Sequence, residues 1–467
     1  MRHAWLIALA GAAWASHAPA QVSPPEESGA APAPPAVAGP AVTPAPTVAA
    51  QTGGGLTLTL AQAHAVALQN HPDIAAANYR AQAEQEVFIQ SRSGLLPQVT
   101  AYGSAVHAGS ENTRLMAGGL NNPSVFSRTA VGAGVSQLIT DFGRTRNLAA
   151  SSRLQAAAAE QGALATRERV LLEVDRSYFG ALQAQAVEAV ARQTLDTRQL
   201  LLQRISLLAQ NKLKSDLDVS FASVAFEEAQ LLVLRAQNNV DSAMADLSTL
   251  LGYREQQTFT LADEKSVLVP AAADVAPLIE QALRERPELA RLRDERDAAA
   301  RLALSLRDAR LPTISAVIAA GNAPTHDARL PDNYSAGGIQ VSVPLFAGGF
   351  YQARQREAEL RARAAAESLR TVEDNVSRDV RIAWLSLNNA RQRLRTSAQL
   401  SRHAATAYQL ADARYRVGSS SIVELSQAQL ELTTAQIDET TARYEVLMRE
   451  ADLNYQIGAP VAPLRER

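Results

Sequence analysis

The segment from Val131 to Arg153, VGAGVSQLITDFGRTRNLAASSR, changes its periodicity at a single glycine. Up to Thr140, apolar residues alternate with small or polar ones, which is the pattern of a strand with two different faces. After Gly143 the segment is rich in Ala, Leu, Arg and Gln, which favour helix. The same junction returns as GGIQVSVPLFAGGFYQARQR, from Gly337 to Arg356. The sequence therefore predicts two places at which a strand runs directly into a helix.

The N-terminus predicts export from the cytoplasm. A basic start at Arg2, an apolar run over 4–14 and a small-residue site ending at Ala20 are typical of a secretory signal peptide, here residues 1–20. Residues 21–55 are rich in Pro and Ala and have too little apolar surface to offset the entropy of ordering, so they are predicted to form a disordered linker.

The composition excludes several classes of protein. A net charge of −2 argues against nucleic-acid binding. The chain has no cysteine, so it has neither a disulfide framework nor an acylated cysteine anchor. No segment approaches the roughly 18 consecutive apolar residues of a transmembrane helix.

The chain repeats internally. Pro97 aligns with Pro312 at an offset of 215 residues, and beyond the strands Gly143 aligns with Gly349 at an offset of 206. The difference indicates a loop nine residues longer between the two strands of the first copy. The predicted boundaries are repeat 1 over 56–252, a connector over 253–274, repeat 2 over 275–458 and a tail over 459–467.

Each copy is predicted to contain a helix, a Leu-Pro step, two strands, a glycine, a very long helix and a further helix. The residue before a proline avoids the helical region, so helix gives way to strand at Pro97 and Pro312. No proline occurs within 124–269 or 345–459, so nothing interrupts the long helices there. The predicted helices cover 62–95, 144–210, 216–251, 276–310, 349–417 and 422–457.

The helix lengths argue against a compact domain. At 1.5 Å per residue, a helix over 144–210 is about 100 Å long. The helices predicted over 62–95 and 216–251 together match that length, and the second copy repeats the relation. Each copy is therefore predicted to form two columns of equal length that pack through an apolar stripe.

The predicted strands, over 98–108, 128–140, 312–320 and 335–345, are near the 9–11 residues that cross a membrane as a tilted barrel strand. Ile339 and Val341 face one side and Gln340 and Ser342 the other, which predicts a lipid face and a lumen face. Four strands cannot close a barrel, and an open edge leaves backbone groups unsatisfied in lipid. Several copies must therefore share one barrel. Residues 109–127 and 321–334 connect the strand pairs on the side opposite the long helices, so they are expected outside the cell.

These features together resemble the outer-membrane efflux protein family, the TolC-like channel-tunnels. The resemblance covers roughly 58–458 and depends on the repeat, the two Leu-Pro steps, the two junction motifs and YRVGSSSIVELSQAQ at 415–429. It implies a mainly α fold with membrane β-strands, in which a homotrimer forms a twelve-stranded outer-membrane β-barrel continuous with a twelve-helix α-barrel tunnel across the periplasm. Each chain supplies two structural repeats.

The resemblance implies an exit duct for a tripartite efflux or type I secretion system, with no cofactor. Its expected partners are a periplasmic adaptor (membrane fusion) protein, an inner-membrane transporter of the RND, ABC or MFS type, and outer-membrane lipid. The alternative is a secreted structural coiled-coil or surface-anchoring protein without a pore. The cargo stays open between a small compound, a metal ion and a protein.

No enzyme site is predicted. DFG at 141–143 lacks the His-Arg-Asp and Gly-rich loops of a kinase, and GAG at 132–134 lacks a third glycine at dinucleotide-binding spacing. The glycines at 132–134 instead suit a crowded barrel lumen. The histidines have no metal-ligand spacing.

The candidate functional residues lie at two turns between helices. Asp218 and Glu424 align at the offset of 206, each just after its turn. By resemblance these turns form the periplasmic gate, where threefold symmetry makes each carboxylate a ring and predicts cation selectivity. The alternative is an acid favoured by the macrodipole of its own helix.

The same turns carry four further candidates. Lys212, Lys214, Gly418 and Ser419 resemble the surface that meets the hairpin of a periplasmic adaptor, and a solvated turn is the alternative. Lys212 stands where the second copy has Gly418, so the first turn is expected to lack a helix-stopping glycine.

Overall fold

The computed structural model describes residues 57–107, 113–114, 124–125, 127–255, 257, 259–263, 274–325 and 331–459. The predicted signal peptide, the Pro/Ala-rich linker and the tail beyond residue 459 lie outside the described residues, as does most of 109–127.

The same order of elements occurs twice in the chain. The first set is α1 (Leu60–Asn70), α2 (Pro72–Ser93), β2 (Gln98–Val106), β5 (Arg128–Thr140), α3 (Arg144–Gln210) and α4 (Asp216–Leu250). The second set is α5 (Ala276–Glu285), α6 (Pro287–Asp308), β7 (Thr313–Thr325), β8 (Asn333–Ser342), α7 (Phe350–Arg416) and α8 (Ile422–Gln456). Short strands β1 (Thr57–Leu58), β3 (Thr113–Arg114), β4 (Ser124–Val125) and β6 (Thr260–Leu261) complete the described elements. The long helices α3 and α7 have 67 residues each, and α4 and α8 have 35 each.

The first helix of each set is broken, and the prediction of continuous helices over 62–95 and 276–310 was wrong. His71 and Arg286 are extended, with ψ of 123° and 124°, and the next helix starts at Pro72 or Pro287. A proline pushes the preceding residue out of the helical region but is well suited to the first helical position. The break therefore has the same physical cause as the Leu-Pro steps.

The junctions between strand and helix are where the sequence predicts them. Strands β2 and β7 begin directly after Pro97 and Pro312. The long helices begin directly after Gly143 and Gly349, which have φ of 107° and 85°. This left-handed conformation favours glycine, because a Cβ would be strained there. Glycine thus lets the chain turn from the strand into the helix.

Several strand ends differ from the prediction. Strand β2 ends at Val106 and not at residue 108. Strand β8 ends at Ser342 and not at residue 345, since Pro344 has no N–H for the ladder. Strand β7 continues to Thr325 and not only to residue 320, and pairs with β8 from Asn333 onward. Half of the predicted extracellular segment 321–334 is therefore strand, at 321–325 and 333–334, and the two strands are joined by 326–332.

The four long strands form one antiparallel sheet in the order β2-β5-β7-β8. The register places apolar residues on one face of this sheet, where they are exposed. These residues include Val99, Val131, Ile318, Ile339 and Val341. The opposite face carries mostly polar and small side chains, so the sheet has the two unlike faces that the alternation predicts.

Two tyrosines lie across the polar face of the sheet. Tyr102 of β2 and Tyr334 of β8 are in register with Gly132 and Gly321 of the central strands. The Tyr334 hydroxyl donates to the Tyr102 hydroxyl at 3.1 Å, and a Cβ on either glycine would clash with the Tyr334 hydroxyl. Glycine at 132 is needed for this close approach.

The helices form two layers of four, one near the strands and one at the far end. The long helices α3 and α7 run through both layers. Near the strands, α3 lies between α2 and α6, and α6 packs on α7. At the far end, α3 lies between α4 and α8, and α8 packs on α7. The layers therefore end at α2 and α7 near the strands and at α4 and α7 far from them. No helix in the described part of the chain meets the length and apolarity that a membrane crossing requires.

A small assembly surrounds the middle of α3. Strand β6, in the segment expected to be only a connector, pairs in parallel with β1. The Tyr178 hydroxyl of α3 lies 2.8 Å from the carbonyl oxygens of both Leu58 and Ala262. On the same helix, buried Asp175 lies 2.5 Å from Nε2 of His64 in α1. These polar contacts fix α1 and the β1–β6 pair to the long helix.

Candidate functional site at the two hairpin turns

The turns between α3 and α4 and between α7 and α8 have the same backbone path. Lys212 adopts φ of 59° and Gly418 φ of 77°. In the first turn the Leu213 N–H donates to the Leu208 carbonyl at 2.9 Å, and in the second Ser419 N–H donates to the Arg414 carbonyl at 3.0 Å. This six-to-one hydrogen bond is the Schellman helix end. A lysine thus takes the left-handed position that glycine occupies in the second turn.

Asp218 is part of a helix cap. The Ser215 N–H donates to Oδ2 of Asp218 at 3.1 Å, and Asp218 N–H donates to the Ser215 hydroxyl oxygen at 3.2 Å. This reciprocal pair is a capping box, which satisfies two otherwise unpaired donors at the start of α4. The helix-terminus role that the sequence allowed for Asp218 is therefore present in the structure.

Glu424 occupies the equivalent position of α8 with different partners. Its N–H donates to the Ser421 hydroxyl oxygen at 3.2 Å, while its carboxylate turns back toward the turn. Oε1 lies 2.7 Å from Nη1 of Arg414, and Ser420 donates to Oε2 at 2.8 Å. The negative charge of Glu424 is therefore balanced by Arg414, within the same hairpin.

Lys214 joins the two hairpins. Its ammonium nitrogen lies 4.0 Å from the centre of the Tyr415 ring, a cation–π geometry. Tyr415 is 5% exposed, and its hydroxyl has no hydrogen-bond partner among the described residues. Burial, and secondarily the negative charge of Asp218, raise the pKa of Tyr415. Lys214, Asp218 and Tyr415 therefore meet between the hairpins.

An apolar cluster of all four helices lies behind this contact. It consists of Leu201, Ile205, Ala222, Ala411, Tyr415, Ile422 and Leu425. Arg198, 5% exposed, lies about one helical turn before Leu201 in α3, on the side away from the turn, and donates to the Ser426 carbonyl of α8 at 3.4 Å. Burial lowers the pKa of Arg198, and the charge of Glu228 opposes that shift. The two hairpins thus meet through apolar residues near the turns and through the buried Arg198 farther from the turns.

The structure separates the four predicted docking residues. Lys212, Gly418 and Ser419 are exposed on the turns, whereas Lys214 is half-buried against Tyr415. Sequence reasoning missed Tyr415, Arg414 and Arg198 as parts of the site. Tyr415 stands inside the YRVG motif, which was the available signal, but nothing in the local pattern marks Arg198 as buried. No three metal-ligating side chains lie together among the residues described.

Comparison with known proteins agrees with this architecture. The family described as "Outer membrane efflux protein" matches residues 65–253 and 278–459. Outer membrane protein TolC of Salmonella enteritidis is 24% identical over 420 residues, which cover 85% of this chain and 82% of that protein. TolC of Vibrio cholerae is 24% identical over 418 residues, which cover 85% and 90%.

Two solved structures share the fold. The outer-membrane channel OprN superposes with a TM-score of 0.76 at 21% identity, over 86% of this chain and 90% of that one. The CmeC outer membrane channel of Campylobacter jejuni superposes with a TM-score of 0.75 at 17% identity, over 89% and 90%. The family match falls on α1–α4 and α5–α8 and covers most of the chain. The resemblance inferred from the sequence is confirmed, and the chain belongs to the outer membrane efflux protein family.

Proposed function

We propose that three copies of this chain close a twelve-stranded barrel in the outer membrane and a twelve-helix tunnel in the periplasm. The proposal is supported mainly by the open edges of the sheet and of the helix layers, which agree in the halves of the chain that supply them. The sheet ends at β2 and β8, and the helix layers end at α2 and α7 or at α4 and α7. Every layer thus has one edge from each half of the chain, and the two halves serve as two structural repeats.

The strand directions support closure. Strands β2 and β8 run in opposite directions, because each neighbouring pair in the four-stranded sheet is antiparallel. The β2 strand of one copy can therefore pair with β8 of the next without an exposed edge. Two copies supply eight strands, and the interior of an eight-stranded barrel is filled by side chains. Three copies are thus the smallest number that leaves a duct.

Exposed apolar side chains on the edge helices support the same contact. On α4, Leu217, Phe221, Val224 and Leu231 recur at helical spacing. On α7, the exposed residues include Ile382, Leu385, Leu400 and Leu410. Apolar stripes of this kind on a helix surface mark protein interfaces. In the proposed trimer, α4 of one copy packs on α7 of the next.

Introduced cysteines test the trimer, since the chain has none of its own. Leu231 lies 19 residues after Lys212 and Leu400 lies 18 before Gly418, so the two are at similar heights. Oxidation of a Leu231→Cys, Leu400→Cys variant in intact outer membranes is expected to give covalent dimers and trimers and nothing larger. Leu231→Cys alone is the control and stays monomeric. A ladder that stops at the dimer contradicts three copies.

The trimer serves as the exit duct of a tripartite efflux or type I secretion system. A periplasmic adaptor and an inner-membrane transporter of the RND, ABC or MFS type deliver the cargo, and the transporter supplies the energy. Single-channel recording distinguishes this duct from a structural coiled-coil protein without a pore. Purified trimers that resist dissociation in detergent but show no conductance in planar bilayers would support the structural alternative.

Asp218 and Glu424 line the periplasmic entrance in this proposal. Three copies of each carboxylate concentrate negative potential over distances comparable to the Debye length, about 8 Å at physiological salt. Because Arg414 balances Glu424, Asp218→Asn is expected to lower cation selectivity more than Glu424→Gln. Ser215→Ala is the matched control, since it removes a cap worth about 1 kcal/mol and keeps the carboxylate. Unchanged selectivity in the double variant contradicts the gate.

The exposed turn residues Lys212, Gly418 and Ser419, with Lys214 beside them, form the proposed adaptor-docking surface. Lys212→Glu is expected to reduce crosslinking of the adaptor to the turns. Arg402→Glu, an exposed position on α7 away from the turn, is the control. Equal loss in both variants contradicts a specific docking role.

A further inference from the structure

Arginine is the most frequent charged residue type at the level where the strands end and the helices begin. Four stretches flank the strand ends there, at 90–97, 141–149, 305–312 and 343–356. They contain seven arginines and two aspartates, with no lysine or glutamate. The arginines, all exposed in the single chain, are Arg92, Arg144, Arg146, Arg307, Arg310, Arg354 and Arg356, here called the arginine collar.

The two aspartates do not neutralise the exposed surface. Asp141 is buried, and its Oδ2 accepts the Thr145 N–H at 2.7 Å at the start of α3. Asp308 is also buried and accepts a hydrogen bond from Asn147 at 3.0 Å. Within the described residues, Arg307 alone of the seven forms an ion pair, to Asp308 at 3.0 Å. The surface charge at this level is therefore positive.

Exposed apolar residues accompany the collar. Leu345 and Phe346, between β8 and α7, are each 92% exposed. Leu96, Phe142, Leu311 and Phe350 are exposed at the same junctions. Apolar and aromatic side chains beside basic ones at the ends of membrane strands are typical of the membrane–water interface. The Arg354 guanidinium lies 5.5 Å from the Phe350 ring, so the two kinds of residue are in contact.

We propose that the arginine collar binds the headgroup phosphates of anionic phospholipids in the leaflet that faces the periplasm. Leu345 and Phe346 enter the acyl region beside these headgroups. The inference rests on the barrel of the proposed function, because the barrel sets the membrane surface at the strand ends. Guanidinium groups bind phosphate oxygens in a bidentate manner. An anionic lipid supplies both the negative charge and the apolar phase that this surface requires.

Native mass spectrometry of the purified full-length protein tests the proposal. The protein is exchanged into neutral detergent with phosphatidylglycerol or phosphatidylethanolamine of identical chains. The wild type is expected to retain phosphatidylglycerol about tenfold better, given the attraction of arginines to anionic headgroups. A variant with Arg144, Arg146, Arg354 and Arg356 replaced by Gln is expected to lose this preference. None of these four arginines forms an ion pair with another described residue.

The control variant removes the same charge from the body of α7. It replaces the exposed residues Arg363, Arg370, Arg395 and Arg402 by Gln. It is expected to keep the preference, and equal loss in control and collar variants overturns the proposal. Retention of both lipids alike by the wild type overturns it too. Competition by millimolar inorganic phosphate assigns the site to free phosphate instead of lipid.

Trimer formation is scored in the same spectra. A wild type that forms trimers without the lipid preference contradicts the collar alone. A wild type that stays monomeric contradicts the shared barrel, and with it the membrane level on which the collar depends.

Discussion

At the α3–α4 turn Lys212 has φ of 59°, and at the α7–α8 turn Gly418 has φ of 77°. Both turns close with the same six-to-one backbone hydrogen bond, and both of the following helices begin after a serine cap. The backbone is therefore alike in the two hairpins although the turn residues differ. Hydrogen bonds within a few residues are enough to set this path.

The burial after the turns is different. Ile422 and Leu425 of α8 are 4% and 0% exposed. Their counterparts in α4, at the offset of 206, are Asp216, which is exposed, and Val219, which is half-buried. The start of α8 lies inside the four-helix cluster, whereas the start of α4 lies at its margin. The comparison shows that equal turns do not imply equal packing.

The largest expected effect is at Leu425. Leu425→Ala leaves a cavity in the cluster and is expected to lower the free energy of unfolding by about 2–5 kcal/mol. Val219→Ala removes fewer buried atoms and is expected to cost about 1 kcal/mol or less. Chemical unfolding of the two variants measures the difference. Equal losses would show that the hairpins are packed alike.

A reciprocal exchange of the turn residues tests the shared backbone path. Gly418→Lys is expected to cost about 1 kcal/mol, because no described atom beyond the adjacent residues lies within 4 Å of the added Cβ and only the left-handed backbone is strained. Lys212→Gly relieves that strain but adds freedom to the unfolded chain, so a gain of about 0.5 kcal/mol is expected. Thermal unfolding of the two variants measures whether the first loses stability and the second gains it. A loss on Lys212→Gly contradicts strain at Lys212.

Lys214 distinguishes the hairpins chemically, because its counterpart is Ser420. Lys214→Ser removes the cation–π contact with Tyr415 and is expected to cost about 0.5 kcal/mol. Since that contact joins the hairpins, a higher basal conductance of the proposed duct is also expected. Lys214→Arg preserves the contact and is the control. Basal conductance that rises equally in both variants contradicts the role of the contact.

The smallest effect concerns the pH dependence of the same contact. Burial raises the pKa of the Tyr415 hydroxyl, so the folded state favours the neutral phenol. This stabilisation is complete below the ordinary tyrosine pKa of about 10 and is lost as the pH rises through the higher folded value. The melting temperature of the wild type is therefore expected to fall more steeply above about pH 10 than that of Tyr415→Phe. Parallel curves contradict the prediction.

Much of the fold follows from individual residues that act locally. Pro97 and Pro312 end helices and start strands, and Gly143 begins a helix in a conformation that suits glycine. The breaks before Pro72 and Pro287 follow the same rule, and its application to these two positions was missed. The pairing of β1 with β6 could not be predicted, because two residues carry no periodic signal and their partners are 203 positions away.

The candidate site, too, has features that the sequence predicts and contacts that only the structure shows. The position of Asp218 and Glu424 just after the turns, and their favourable place at helix starts, follow from the repeat and the macrodipole. The ion pair of Glu424 with Arg414 and the contact of Lys214 with Tyr415 needed the structure. Side-chain partners across a turn or between hairpins depend on rotamers and helix rotation, which local preferences do not set.

The sequence by itself determined the bounds of α3, α4, α7 and α8 to within a residue, and the starts of the four long strands to within two residues. Proline, glycine and alternating apolarity act through the backbone of adjacent residues, so one chain is sufficient to show their effect. The tertiary structure alone decided that Lys212 takes a left-handed conformation, that Arg198 and Leu425 are buried, and which helices form the edges. Burial depends on the neighbours that distant segments supply, and equivalent positions of the two halves have different neighbours.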